Sequence, residues 1–175
     1  IQYAPKATAT EFPFIHSLFS YKDPLVRELV WQIKYKKNGH AVRCAGYALY
    51  RELLKYNEKL ILLPIPISNK RRKERGYNQC ELIINEIIRL DKTSQFSKDY
   101  NSLIRSKHIE HQTIKNRNER IENIKDIFEV VGKLNSNEKI VIVDDVTTTG
   151  STIREARDVL LKAGYTDVVA ITVGH

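Results

Sequence analysis

The fold of this chain is decided by residues 140–152, which read IVIVDDVTTTGST. Four β-branched apolar residues open the stretch, a composition typical of a fully buried strand. Two carboxylates and a turn rich in hydroxyl groups follow them. Residues 152–163 then show the pattern of a helix, which Gly164 is expected to end. The stretch therefore predicts a strand, a tight turn and a helix in direct succession.

The turn between this strand and this helix predicts a site for a phosphorylated sugar. Backbone N–H groups and the positive end of a helix meet there, and both favour a bound phosphate. The adjacent acids Asp144 and Asp145 can accept hydrogen bonds from vicinal hydroxyls, so ribose 5-phosphate meets both requirements. Two alternatives are a buried strand whose acids cap the next helix, and the acidic strand of a nucleotide hydrolase. No G-x-x-x-x-G-K-[ST] loop occurs in the sequence to support the second alternative.

The same thirteen residues resemble the motif with which type I phosphoribosyltransferases bind phosphoribosyl pyrophosphate (PRPP). The resemblance implies that Asp144 and Asp145 bind the ribose hydroxyls and form the catalytic pair. It implies Mg²⁺ as a cofactor, carried mainly by PRPP and without a direct protein ligand. The residues that it assigns to the 5-phosphate are Thr147, Thr148, Thr149, Gly150, Ser151 and Thr152. Some purine-salvage members have an acidic base where this chain has Thr148, which argues against transfer to free nucleobases here.

A second motif follows an apolar strand predicted at residues 60–64. It reads PIPISNKRRKERGYNQ from residue 64 to residue 79. We expect a loop at the carboxyl end of that strand, where ligands collect in open α/β sheets, and its cations suit a pyrophosphate. Resemblance to the pyrophosphate loop of type I phosphoribosyltransferases assigns this role to Ser68, Asn69 and Lys70.

The sequence of the second motif is similar to sequences of the ComF family of phosphoribosyltransferase-like proteins, and a third segment strengthens the similarity. Residues 112–128 follow the pattern Q-T-x₃-R-x-E-R-x₂-N-x₄-F and have few apolar anchors. We expect a flexible lid that closes over an anionic ligand through Gln112, Arg117 and Arg120; a surface helix held by Arg–Glu pairs is the alternative. Many ComF proteins begin with a zinc ribbon, which this chain lacks. Either the lineage lacks it or the chain begins after it.

The ComF resemblance implies a role in natural competence, the import and processing of DNA for transformation. One hypothesis is an enzyme that displaces pyrophosphate from C1 of PRPP; the other is a PRPP-regulated adaptor that binds single-stranded DNA. The net charge of +8 favours phosphate-bearing partners, whether small polyphosphates, nucleic acid or an anionic membrane surface. The candidate DNA contacts are Arg71, Arg72, Lys73 and Arg75. Tyrosines 21, 35, 47, 50 and 56 could stack on bases or equally belong to the core.

Length and pattern predict one α/β domain at residues 21–175. An N-terminal extension at residues 1–20 is expected to lie over the surface or to pair as an edge strand. Helices are predicted at 24–37, 40–56 and 77–90, and strands at 99–105, 127–131 and 167–173, with a polar connector at 91–98. This alternation predicts a type I phosphoribosyltransferase-like fold, in which a central, mainly parallel sheet has helices on both faces.

Composition adds expectations about location and cysteine chemistry. No apolar run reaches the roughly 18 residues of a membrane span and no secretory signal is recognised, so we expect a cytoplasmic protein that reaches the membrane through partners such as other competence proteins. Cys44 and Cys80 have no metal-ligand spacing and are expected to be buried, reduced thiols. Lys34, Lys36 and Lys37 either add to the charge that favours phosphate-bearing partners or form a solvated face that complements a helix dipole.

Overall fold

The computed structural model describes residues 4–7, 12–106, 127–134 and 138–175. Within these residues the strands are β1 (Ile15–Phe19), β2 (Leu60–Pro64), β3 (Phe96–Lys98), β4 (Leu103–Arg105), β5 (Phe128–Val130), β6 (Lys139–Val146) and β7 (Val168–Gly174). The helices are α1 (Pro24–Lys36), α2 (Gly39–Leu53), α3 (Asn69–Arg75), α4 (Gln79–Leu90) and α5 (Ser151–Lys162).

The main sheet has five parallel strands in the order β1-β7-β6-β2-β3. β2 and β6 are neighbours near its centre. From β2 the chain continues to β3 on one side, and from β6 it continues to β7 on the other. The strand order therefore reverses between β2 and β6, and in open α/β sheets ligands bind in the crevice beyond the carboxyl ends of such a pair.

Alternation along β6 sends apolar side chains to both faces of the sheet. Ile140 and Ile142 join the core beneath α5, whereas Val141 and Val143 join the core beneath α2 and α4. Layers on both faces bury the strand almost completely, which explains its unbroken apolar sequence. The predicted α/β class with a mainly parallel sheet between helices on both faces is confirmed.

The structure differs from the expected elements at three places. The basic run after β2 forms the helix α3 rather than a loop, because the Ser68 hydroxyl caps its first turn and Gly76 ends it in the left-handed conformation, at φ 77°. β3 lies inside the expected polar connector, where the backbone N–H of Phe96 donates to the Asp91 carboxylate. β4 is shorter than the strand predicted at 99–105 and pairs with β5 in a separate antiparallel sheet.

The first described residues give the sheet an edge strand. β1 lies within the expected N-terminal extension and pairs in parallel with β7. Pairing at an edge was one of the two alternatives for this segment. The domain boundary after residue 20 stays a prediction.

Candidate functional site

The carboxyl ends of β2 and β6 open onto one cleft with a volume of about 1150 Å³. The cleft brings together residues from both predicted motifs, which are far apart in the chain. Their charged and polar side chains that line it are Ser68, Asn69, Lys70, Arg71, Lys73, Glu74, Arg75, Gln79, Asp144, Asp145 and Thr152. The cleft also has lining residues that the two motifs do not contain, among them Lys34, Tyr35, Arg105 and Ser106. It thus places two carboxylates opposite a group of cations.

Asp145 occupies the buried side of the cleft and is 2% exposed. Its Oδ1 accepts a hydrogen bond from the Val146 N–H at 2.8 Å, which fixes the side chain against its own strand. Its Oδ2 lies 3.0 Å from Nζ of Lys34 but forms no hydrogen bond of good geometry among the described residues. An ion pair therefore compensates this buried oxygen.

Asp144 is only partly buried and is held differently. Its Oδ1 accepts the Asp145 N–H at 2.8 Å and the Cys80 thiol at 3.5 Å. Burial raises the pKa of Asp144 well above its ordinary value, and the neighbouring Asp145 carboxylate raises it further. Burial likewise raises the pKa of the Cys80 thiol, so the thiol donates to Asp144 rather than ionising.

The turn after β6 leads directly into α5. Thr147 is buried, and its N–H donates to the Gly174 carbonyl at 3.0 Å, whereas Thr148 and Thr149 are exposed. The hydroxyls of Thr149 and Ser151 lie 2.9 Å apart. The N-cap of α5 is Gly150, which has no side chain to cap the helix, and the Ser151 N–H donates to the Thr149 hydroxyl at 3.4 Å. The next amides of the first turn point towards an anion site.

Gly150 is the point at which this turn meets the first strand. Its φ of 74° is in the left-handed region, where a side chain is strained. A Cβ atom would lie 2.8 Å from Cδ2 of Phe12 and 2.9 Å from Cδ1 of Ile15. Glycine therefore serves both the backbone conformation and the close approach of β1.

The predicted pyrophosphate residues belong to the start of α3. Ser68 is its N-cap, with the hydroxyl accepting the Arg71 N–H at 3.3 Å, and Asn69 and Lys70 form its first turn. The polypeptide after α3 is tied back to β2, because the Asn78 side-chain amide donates to the Ile65 carbonyl at 2.9 Å. These contacts hold the basic helix at the mouth of the cleft.

The four predicted DNA cations of α3 differ in their surroundings. Arg71, Lys73 and Arg75 line the cleft. Arg72 is not among the lining residues and pairs instead with the Glu81 carboxylate. The charge of α3 is therefore directed towards the cleft by three of the four.

Lys34 is one of the cleft residues that the sequence motifs missed. It lies in the last turn of α1, where a cation complements the helix dipole, but the expectation of a solvated side chain is wrong, since the Lys34 side chain is 22% exposed and pairs with Asp145. Burial by itself would lower the pKa of Lys34, but Asp145 and Asp144 more than offset this and raise it. A signal was present: Lys34 follows Val26, Val30 and Ile33 at helical spacing, on the side of α1 that is buried.

Exposed aromatic side chains lie on α1 beside the mouth of the cleft. Trp31 and Tyr35 are 43% and 60% exposed, and their ring centroids are 6.0 Å apart. Nζ of Lys36 lies 5.3 Å from the Trp31 ring, and the Arg75 guanidinium lies 5.3 Å from the Tyr35 ring. Among the predicted tyrosines Tyr35 and Tyr47 are exposed, whereas Tyr50 and Tyr56 pack against the core.

The two cysteines have different environments. Cys80 is buried, as predicted, but Cys44 is exposed, so the expectation for it is wrong. Cys44 lies beside the inward stripe of α2, which Ala41, Ala45 and Leu49 form.

The described residues contain neither a ready-made metal site nor a helix that could span a membrane. No group of three or more His, Cys, Asp or Glu side chains there is placed to hold a metal ion. No helix there combines the length and the apolar character that crossing a membrane needs. The predicted lid residues Gln112, Arg117 and Arg120 lie outside the described residues.

Comparisons with known proteins agree with the resemblance to the ComF family. The chain is 29% identical over 150 residues to the competence protein ComFC of Bacillus subtilis, covering 85% of this chain and 58% of that protein. It is 31% identical over 137 residues to the competence protein ComFC of Streptococcus pneumoniae, covering 77% and 57%. It is 27% identical over 147 residues to the DNA utilization protein YhgH of Escherichia coli K12, covering 81% and 63%.

These relatives are longer than the chain, which spans about half to two thirds of their length. No protein-family model matches the chain. Among solved structures, a hypoxanthine phosphoribosyltransferase from Staphylococcus aureus is similar with a TM-score of 0.46 and 14% identity, covering 77% of this chain and 63% of that one. Relatives at 26–32% identity are named competence protein ComFC, competence protein F and DNA utilization protein YhgH, and the chain belongs to the ComF family.

Proposed function

We propose that this protein binds PRPP together with Mg²⁺ and serves in natural competence. The observation that carries the proposal is the cleft between β2 and β6, in which Asp144 and Asp145 face the basic helix α3. A ribose that carries a pyrophosphate needs hydrogen-bond acceptors for its hydroxyls and cations for its phosphates, and these two walls supply both. The names of the relatives, competence protein and DNA utilization protein, support the biological context.

Each part of the ligand has a counterpart in the cleft. Carboxylates accept charge-assisted hydrogen bonds from hydroxyls, so Asp144 and Asp145 would bind the ribose diol. The first turn of α5, whose N-cap Gly150 has no capping side chain, would bind the 5-phosphate through its amides. Ser68, Asn69 and Lys70 would bind the pyrophosphate beside the further cations of α3.

The donor set suits an ion that arrives with its ligand. Among the described residues, Asp144 and Asp145 belong to no group of three or more side chains that could hold a metal ion by themselves. Mg²⁺ commonly keeps several waters and binds through one or two carboxylates together with phosphates of the substrate. Mg²⁺ on the pyrophosphate would offset the charge of that group. Asp144 and Asp145 would hold the ribose while positive charge develops at C1, so that the bond to pyrophosphate can break.

The test is isothermal calorimetry of PRPP binding in the presence of Mg²⁺. The double variant Asp144→Asn/Asp145→Asn should bind about a hundredfold more weakly or worse, because the loss of two charge-assisted acceptors costs about 3 kcal/mol or more. The control is Glu28→Gln/Asp158→Asn, which removes two exposed carboxylates away from the cleft. Equal PRPP affinity in the double variant and the control would contradict the proposal.

A second candidate function is an adaptor that binds single-stranded DNA and is regulated by PRPP. The observation that favours it is the pair of exposed rings on α1, Trp31 and Tyr35, each with a cation over its face. Stacking rings beside cations are the usual means by which proteins hold single strands without sequence preference. Release of pyrophosphate from PRPP, measured with and without amines or nucleobases as acceptors, separates the two: an enzyme releases it with an acceptor, and an adaptor binds PRPP without turnover.

A further inference from the structure

Lys34 reaches the cleft from α1, an element that belongs to neither sequence motif. The inward stripe of α1 buries Val26, Val30 and Ile33 against the sheet, and Lys34 follows on the same side. Its Nζ lies 3.0 Å from Oδ2 of Asp145, and the two side chains are 22% and 3% exposed. The Lys34 ammonium on α1 therefore pairs with the Asp145 carboxylate near the end of β6.

The ion pair balances an oxygen that the rest of the described protein leaves unpaired. Oδ1 of Asp145 has the Val146 N–H, but Oδ2 has no hydrogen bond among the described residues. A buried carboxylate without compensation either turns towards solvent or takes up a proton. Without Lys34, Asp145 would therefore lose the orientation that its strand gives it.

The end of α1 that carries Lys34 is anchored independently of the ion pair. The Tyr77 hydroxyl donates to the Ile33 carbonyl at 2.7 Å, and the Arg75 guanidinium lies over the Tyr35 ring. Both contacts come from the segment that contains the basic helix. The backbone of α1 is thus fixed to the pyrophosphate side of the cleft, while the Lys34 ammonium points to the diol side.

We propose that Lys34 is a positioning residue of the ribose site, which acts by holding the Asp145 carboxylate in the orientation that accepts a hydrogen bond from the diol. Lys34 does so from a helix whose end is fixed to the basic segment, so the two sides of the cleft keep their spacing. This inference rests on the proposed function, because it assumes that a ribose phosphate occupies the cleft.

The test compares Lys34→Met with Lys22→Met, an exposed lysine outside the cleft whose loss changes the net charge equally. Calorimetry uses three probes with Mg²⁺: ribose 5-phosphate, PRPP and inorganic pyrophosphate. Lys34→Met should weaken the first two by about ten- to hundredfold, because a mostly buried carboxylate loses its partner. Its affinity for pyrophosphate should equal that of the control. Lys34→Arg should recover most of the binding of the first two probes, since it keeps the charge.

A double variant asks whether Lys34 acts through Asp145. Adding Asp145→Asn to Lys34→Met should cost little further affinity for ribose 5-phosphate, because groups that act as a unit are not additive. Lys34→Gln, checked by circular dichroism, replaces Lys34→Met if that variant fails to fold. A fully additive loss, an equal loss for pyrophosphate, or no loss relative to Lys22→Met would each overturn the positioning role while PRPP binding by the wild type stands. Absence of ribose 5-phosphate and PRPP binding in the wild type would instead overturn the proposed function.

Discussion

Asp144 and Asp145 are neighbours in the chain, but different groups balance their charges. Asp145 pairs with Lys34, whereas Asp144 accepts hydrogen bonds from the Asp145 N–H and the Cys80 thiol. Burial, with the Asp145 carboxylate, raises the pKa of Asp144 in the folded protein. The folded state then holds the Asp144 proton more tightly than the unfolded state does. Ionisation of Asp144 therefore opposes folding, a cost that functional sites commonly carry.

We expect Asp144→Asn to stabilise the unliganded protein at neutral pH. The stability that protonated Asp144 contributes is fully present below its unfolded pKa of about 4 and is lost as the pH rises through the raised folded pKa. Asparagine keeps the shape without the charge, so the free energy of unfolding at neutral pH should rise by about 1 kcal/mol. Urea denaturation at a series of pH values measures this difference.

The comparison variant is Asp158→Asn, which removes an exposed carboxylate from α5. Its stability relative to the wild type should change little across the same pH series, within about 0.5 kcal/mol. A stability gain for Asp144→Asn that does not grow with pH would show that ionisation of the buried Asp144 is not the cause.

The sequence predicted the cleft residues at the carboxyl ends of β2 and β6, but it did not predict Lys34, which reaches the cleft from α1. Asp144, Asp145, Ser68, Asn69 and Lys70 could be expected at one edge of the sheet because parallel strands deliver their carboxyl ends there, whereas their roles in binding stay predictions from the family resemblance. Which of the cations near the end of α1 points inward depends on how the helix is rotated against the sheet. That rotation is a tertiary property, so only the spacing of its apolar residues hinted at Lys34.

The turn between β6 and α5 depends on an element from the other end of the chain. We expect Gly150→Ala to destabilise the protein by roughly 2–5 kcal/mol, the sum of left-handed strain and overpacking. The added Cβ would lie under 3.0 Å from the side chains of Phe12 and Ile15, so either these side chains or the turn at Gly150 must move. Thermal unfolding measures the loss of stability. Calorimetry with PRPP should also show weaker binding, because a shift at Gly150, the N-cap of α5, would displace the first amides of that helix.

Gly164→Ala separates strain from steric overlap. Gly164 also has a positive φ, 94°, but no atom lies within 4 Å of its Cβ position. It should therefore cost only the left-handed strain, about 1–2 kcal/mol. Equal losses of stability for the two variants would mean that the close approach of β1 has no energetic role.

The helix α3 shows which local signals the sequence offered for an element that was expected to be a loop. Ser68 before the basic run and Gly76 after it are a helix N-cap residue and a helix-ending residue. The run between them has no apolar face, and all of its residues remain exposed or half-buried. Apolar periodicity cannot reveal a helix in such a segment. The capping residues Ser68 and Gly76 were therefore the sequence features that indicated one.

At the scale of the whole molecule, cations gather at the carboxyl edge of the sheet. If this surface binds nucleic acid, single-stranded DNA should be retained without sequence preference, with an affinity that falls steeply as salt rises. Replacing Arg71, Arg72 and Lys73 with alanine should flatten the plot of log affinity against log salt. Every phosphate that the variant no longer neutralises changes the slope by about 0.7, so the change is about 2 if all three cations bind phosphate. Filter binding over a salt series measures it.

The matched control removes three exposed lysines that precede β2 and β3 at the opposite edge: Lys55, Lys59 and Lys92. It lowers the net charge equally, so a similar flattening in both variants would indicate general attraction rather than a binding surface. Absence of DNA retention by the wild type at low salt would contradict the adaptor and leave protein partners as its route into competence.

The parallel sheet was predictable because alternating strands and helices admit few arrangements. The edge position of β1 was not specified, since its partner is the final strand and no local pattern encodes that distance. The small sheet of β4 and β5 was missed for the same reason: its two short strands flank a long segment and pair across it.

The pairing of β1 with β7 delays the completion of the sheet while the chain is being synthesised. The Ser17 and Thr172 hydroxyls lie 2.7 Å apart although 155 positions separate them in the chain. At about 5–20 residues per second, a ribosome needs roughly 8–30 s between the two. During that interval the first strand has left the ribosome without the neighbour that completes it, and Phe12 and Ile15 lack the turn at Gly150 that covers them. The nascent chain thus leaves β1 unpaired until β7 has been synthesised, and during this interval a chaperone or an unwanted partner can reach it.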